Sequence, residues 1–151
     1  RAESKTPRRS GAMLLAIEGE NGLDSLVAIT ATLAKALDAA VTVVHVSYPG
    51  GEELERAVYH ATKTHGEHAL SVAVARLVKA GVEARSMSLT ARGGVSRALA
   101  KCADDMGADL IVMGSHRTEP AAGEILAPIS TAVSHLTSRP IVVTGELDEP
   151  T

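Results

Sequence analysis

The stretch Asp109-Leu110-Ile111-Val112-Met113-Gly114-Ser115-His116 decides the fold. Its apolar run, Leu110 to Met113, is too short for a helix and reads as a strand buried on both faces. A glycine and two polar residues end it abruptly. In an open α/β sheet, ligands bind just outside the carboxyl end of such a strand.

Working outward, the same alternation repeats in both directions. Upstream, Gly93-Gly94 opens a helix in which Val95, Ala98, Leu99, Cys102 and Met106 form an apolar stripe. Downstream, a helix covers Ile129 to Leu136, and Pro140 to Thr144 reads as the last strand. Toward the N-terminus, Met13 to Ile17 is a short apolar strand, followed by Gly19 and an Asn21-Gly22 turn. Asp24 or Ser25 caps the next helix, and Leu26, Ile29, Leu33 and Leu37 recur at helical spacing. Val41 to Val46 is a second buried, β-branched strand, broken by Pro49-Gly50-Gly51. A long helical stretch runs from Glu52 to Lys79, with Gly66 as a site for a kink or short break. Val82 to Thr90 carries Glu83 and Arg85 and suits an edge strand.

The order β-α-β-α-β-α-β-α-β predicts an α/β fold, a parallel sheet covered on both faces through right-handed crossovers. The expected organisation is one domain over 12–145. Residues 1–11 read as a flexible basic tail or linker, and 146–151 as an acidic C-terminal tail.

Composition narrows the function. The chain has 151 residues, enough for one domain with its own core. Phe and Trp are absent and there are two Tyr, so the aromatic platforms that stack single-stranded nucleic acid are missing. A net charge of −3 gives no general attraction to nucleic acid or acidic lipid. The expectation is no nucleic-acid partner and no membrane contact by this domain. One cysteine excludes an internal disulfide framework and suits a reducing, cytoplasmic compartment. Cys102 reads as a small buried hydrophobe rather than a redox thiol. His60, His65 and His68 with Glu67 read as a solvated helix face, because no cysteine pair or HExxH pattern accompanies them. No metal site is expected. His45 reads as a satisfied core histidine. His116, in the strand-end loop, is the histidine worth testing.

These residues resemble the universal stress protein family over nearly the whole domain, from Met13 to Thr144. The likeness is carried by Leu14-Leu15-Ala16-Ile17-Glu18-Gly19, by Thr42-Val43-Val44-His45-Val46, by Ala108 to His116, and by Arg139-Pro140-Ile141-Val142-Val143. It implies a single Rossmann-like sheet of five parallel strands in the order 3-2-1-4-5, with helices on both faces and the switch point between the first and fourth strands. It also implies an adenine-nucleotide site. The family's carboxylate after the first strand is matched by Glu18. The position whose backbone reads adenine is matched by Val46.

The family's phosphate loop reads Gly, two residues, Gly, nine residues, then Gly followed by Ser or Thr. Gly114 fills the first place, but Arg117, Ala127 and Pro128 stand in the other three. Glycine lets backbone approach phosphate closely, which Arg117 and Ala127 disfavour. Pro128 suits a helix start yet offers neither N–H nor hydroxyl to an anion. Ser115, His116 and Ser130 remain as polar groups, and Arg117 presents a planar fork suited to phosphate or carboxylate. Glu20, where the family has Ser, adds negative charge.

The resemblance therefore implies a stress-response module, regulatory or interaction-mediating, whose ATP or AMP site is weakened or lost. The alternative is a module that takes ATP, AMP or another small anion through Glu18, Val46, Gly114, Ser115, His116, Arg117, Ala127 and Ser130. A third, lower-ranked reading is an ATPase. The sequence has no GxSxG elbow, no GxxxxGK[ST] loop and no base and nucleophile pair, so no catalytic residue is assigned. The apolar last strand at 140–144 is an expected edge, and the resemblance implies a homodimer there. The basic stretch before Gly11 is compatible with a domain that follows a larger segment, such as a transporter.

Overall fold

The computed structural model describes residues 11–19, 22–47, 53–91, 94–114 and 129–144, with side chains from 65 onward in the second helix. The two tails, Glu20-Asn21, the Pro49-Gly50-Gly51 break, Gly93, Pro128 and the side chain of His60 lie outside the described residues.

Among the described residues, nine elements alternate strictly: β1 (Gly11–Ala16), α1 (Leu23–Leu37), β2 (Ala39–Ser47), α2 (Glu53–Lys79), β3 (Ala84–Thr90), α3 (Val95–Met106), β4 (Leu110–Gly114), α4 (Ile129–Leu136) and β5 (Ile141–Thr144). The sheet is parallel throughout, in the order β3-β2-β1-β4-β5. This is the expected order, with β3 and β5 as its edges. Strand alternation sends Met13, Leu15, Val41 and Val43 to one face, where α1 and α2 cover them. Leu14, Ala16, Val44, Ile111 and Met113 meet α3 and α4 on the other.

Two local expectations are corrected. The stripe Leu26, Ile29, Leu33 and Leu37 is only partly the buried face of α1: Leu26 is buried and Leu33 packs against the core. Ile29 and Leu37 are exposed, and the buried positions are Leu23, Leu26, Val27, Thr30, Ala31 and Ala34. Small residues let α1 lie close to the sheet, and the Thr30 hydroxyl donates to the Leu26 carbonyl at 2.7 Å, so it enters the core satisfied. The helix also begins before Asp24, with Gly22 at its N-cap in a left-handed conformation, φ 70°.

The second correction concerns Gly66. α2 runs unbroken through it. The glycine is there because the His45 imidazole of β2 lies directly against it, and a methyl group would overlap the ring.

The amino ends of the strands are clasped by polar contacts. Asp109 accepts from the Ala12 N–H at 2.9 Å, while its own N–H donates to the Ala12 carbonyl at 2.7 Å. Arg139, just before β5, donates to Asp104 at 2.8 Å and to the Ala108 carbonyl at 2.7 Å. The Arg139 and Thr137 hydrogen bonds hold the Asp104 carboxyl below the usual carboxylate range.

Candidate functional site

The opposite end of the sheet carries the candidate site. β1 continues to β2 on one side, whereas β4 continues to β5 on the other, so their connections part and leave a crevice beyond the carboxyl ends of β1 and β4. Pairing persists to the lip, where the Ile17 N–H donates to the Val44 carbonyl at 3.0 Å. Glu18 follows and is exposed. Gly114 ends β4 opposite Thr144 of β5. A Cβ at Gly114 would sit 3.8 Å from the Thr144 hydroxyl, ordinary contact, so packing there does not itself demand glycine. Val46 is half-buried near the end of β2, paired with Leu89. Ser130 is half-buried in the first turn of α4.

Glu18, Val46, Gly114 and Ser130 thus all follow from elements that end or begin at this edge. Ser115, His116, Arg117 and Ala127 lie outside the described residues.

Two residues the sequence reading did not place in the site stand directly behind it. His45 and Ser47 continue the core-facing register of Val41 and Val43 and are 2% and 1% exposed. Among the described residues, His45 Nδ1 and Ser47 Oγ are buried without a hydrogen-bond partner. The expectation of a satisfied core histidine is therefore only half met. Burial pushes the His45 pKa down; a hydrogen bond to the Glu18 backbone and the nearby Glu18 and Glu67 carboxylates oppose it. The ring is neutral near pH 7 and lies against Gly66 of α2. The available signal was the alternation itself, which puts two polar residues on a core face.

Cys102 is buried, with Sγ 3.7 Å from Met87 Sδ, and desolvation raises its pKa. It is a packing residue, as expected. His65, Glu67 and His68 are exposed on α2. Among the described residues no group of three His, Cys, Asp or Glu is placed to hold a metal. None of the described helices is long and apolar enough to cross a membrane.

Comparison with known proteins agrees with this architecture. The model of the universal stress protein family matches residues 11–145. A universal stress family protein from Burkholderia pseudomallei superposes with a TM-score of 0.72 at 20% identity, covering 91% of this chain and 98% of that one. The universal stress protein of Archaeoglobus fulgidus in complex with dAMP gives 0.64 at 21% identity, covering 90% and 98%. A universal stress protein in complex with cAMP gives 0.69 at 18% identity, covering 91% and 98%. No curated protein matches the chain. With the family model spanning every described strand and helix, the chain belongs to the universal stress protein family.

Proposed function

We propose that this domain is a regulatory and interaction module of the stress response in which nucleotide binding is weakened or lost. One observation carries the reading. The crevice keeps its lip at Glu18 and Gly114, but three positions of the phosphate loop are Arg117, Ala127 and Pro128. Pro128 directly precedes α4, so the anion-binding end of that helix loses a donor where phosphate would sit. Glu20 adds repulsion.

The second reading is supported by the intact adenine side. Glu18 and Val46 match the family's positions for the adenine and ribose end, and structures of similar fold are solved with dAMP and cAMP. In it, Arg117 replaces backbone donors with a guanidinium fork, and Ser130 supplies a hydroxyl. ATPase activity has less support, since the sequence carries no catalytic motif and, among the described residues, His45 is enclosed. We also place the protein in the cytoplasm as a homodimer through β5, whose Val143 is 45% exposed on an edge strand.

The test is direct. Purified protein is denatured and the supernatant examined for nucleotide, and native protein is titrated with ATP, AMP, dAMP and cAMP by thermal shift. The expected result is no retained nucleotide and no shift. The combined change Arg117→Gly, Ala127→Gly, Pro128→Ser should then improve ATP affinity by about tenfold or more, roughly 1.4 kcal/mol. Retained adenine nucleotide in the native protein overturns the lost-site reading. If Arg117→Ala then abolishes it, the modified-loop reading stands.

A further inference from the structure

A groove of about 600 Å³ lies away from the crevice, between the edge strand β3 and helix α3. It exists because α2 covers β3 on one face, while on the other face α3 packs over β1 and β2 and leaves β3 overhanging. Its floor is Met87 and Leu89 from β3 and Ala98, Cys102 and Met106 from α3. The volume lies within the range of small-molecule sites, which are mostly apolar with a few convergent polar groups.

Two features define what would fit. The first is sulfur. The chain has four Met and one Cys, and three of those five residues, Met87, Cys102 and Met106, line this groove. Thioether and thiol sulfur are polarizable and make favourable contacts with aromatic rings, yet among the described residues no aromatic side chain lines the groove. The second is charge. Arg85, Arg97 and Lys101 stand around it against one carboxylate, Asp105, on a chain whose net charge is −3. Lys101 is already paired with Asp105 at 2.9 Å. Arg85 uses Nε on the Thr42 hydroxyl at 3.2 Å, which orients its guanidinium. Arg97 is exposed and has no hydrogen bond or ion pair among the described residues.

We propose that this groove binds a small amphipathic anion, a flat aromatic body carrying one carboxylate or sulfonate. The ring lies on the sulfur-lined floor between β3 and α3, and Arg97 receives the anionic group, with Arg85 beside it. This site is separate from the crevice between β1 and β4, so its occupancy does not depend on whether nucleotide binds.

The four methionines make the test internal. Met87 and Met106 line the groove, whereas Met13 and Met113 are buried in the sheet core, Met113 beside the crevice. Full-length protein with ¹³C-labelled methionine methyls is titrated with 1-anilinonaphthalene-8-sulfonate, followed by fluorescence and methyl NMR. The expected result is saturable one-site binding that moves Met87 and Met106 and leaves Met13 and Met113 in place. ATP should not displace the probe. Arg97→Gln, an exposed change on α3, should weaken the anionic probe about tenfold. Binding of the neutral analogue N-phenyl-1-naphthylamine should be unchanged by it.

Ala98→Trp should fill the groove and abolish both. Should that variant fold poorly by circular dichroism, Leu89→Arg serves the same purpose from β3. Non-saturable binding, an unmoved Met87, a probe that shifts Met113 and is displaced by ATP, or equal affinity in Arg97→Gln each overturns the proposal. So does a concentration-dependent shift of Met87 and Met106 without probe, which would assign the groove to a second copy of the chain.

Discussion

At the amino ends of the strands, polar groups meet partners; at the carboxyl ends, two buried ones do not. Asp109 bonds Ala12 of β1, and Arg139 before β5 bonds Asp104 and Ala108, so two neighbouring clasps hold β1, β4 and β5 at this end. Behind the candidate crevice, His45 Nδ1 and Ser47 Oγ are enclosed and find no partner among the described residues. Unpaired buried groups cost stability, so they concentrate where a fold trades stability for something else. The difference separates the part of this domain that holds the sheet from the part that shapes its ligand edge.

The largest way to break that comparison is Gly66→Ala. Helix propensity alone would make alanine better by about 1 kcal/mol. Here the added methyl overlaps the His45 ring, and neither β2 nor α2 can withdraw without disturbing the core between them. The expected net loss is about 2 to 3 kcal/mol by urea denaturation. In a His45→Ala background the overlap is gone, and the same change should become neutral or mildly stabilising. Equal costs in both backgrounds would show that the His45 contact is not what selects glycine.

That glycine also shows where sequence reading stops. Strand order, the parallel sheet and both edges were legible because apolar runs such as Leu110 to Met113 alternate with helical stripes, and chirality leaves few ways to connect them. That Glu18, Val46, Gly114 and Ser130 lie at strand carboxyl ends or a helix start also followed from that topology. The inward face of α1 was not legible. Ile29 and Leu37 recur at helical spacing as regularly as Leu23, Val27 and Ala34, and only the neighbouring layer decides which stripe turns inward. Gly66 reads as a weak point in a helix until its partner is known, and that partner lies in another element. Nor does alternation report that His45 Nδ1 and Ser47 Oγ find no partner among the described residues; it reports only that the two side chains face inward.

Acidification should act next, through His45 at the carboxyl edge. The unfolded imidazole titrates at about 6.5. In the folded protein burial holds the His45 pKa lower. Between the two values the unfolded state binds more protons, so stability falls as pH drops below about 6.5 and levels off below the folded value. Above about 6.5 His45 contributes no slope. Its share of the slope is bounded by about 1.4 kcal/mol per pH unit, the limit for one proton. Urea midpoints between about pH 7.5 and pH 5 should therefore fall more steeply in the native protein than in His45→Gln. Parallel curves would mean that the ring charges in place, relieved by Glu18 and Glu67.

The smallest effect belongs to the clasp at the amino ends of the strands. Asp109→Ala leaves the Ala12 N–H without its acceptor, but Asp109 is exposed and water replaces much of the bond. The expected cost is about 1 kcal/mol, read as a shift in urea midpoint at constant m. Asp109→Asn keeps an acceptor oxygen and should recover most of it. Gly11 belongs to the same arrangement, since a side chain there would press on Asp109 Oδ2, 3.1 Å from the added Cβ. Gly11→Ala should consequently mimic part of the Asp109→Ala loss and add little on top of it. Because the clasp lies at the end remote from Glu18 and Gly114, none of these changes should alter the response to nucleotide or to the aromatic anion. A clasp variant that did so without first losing stability would show that the two ends of the sheet are coupled.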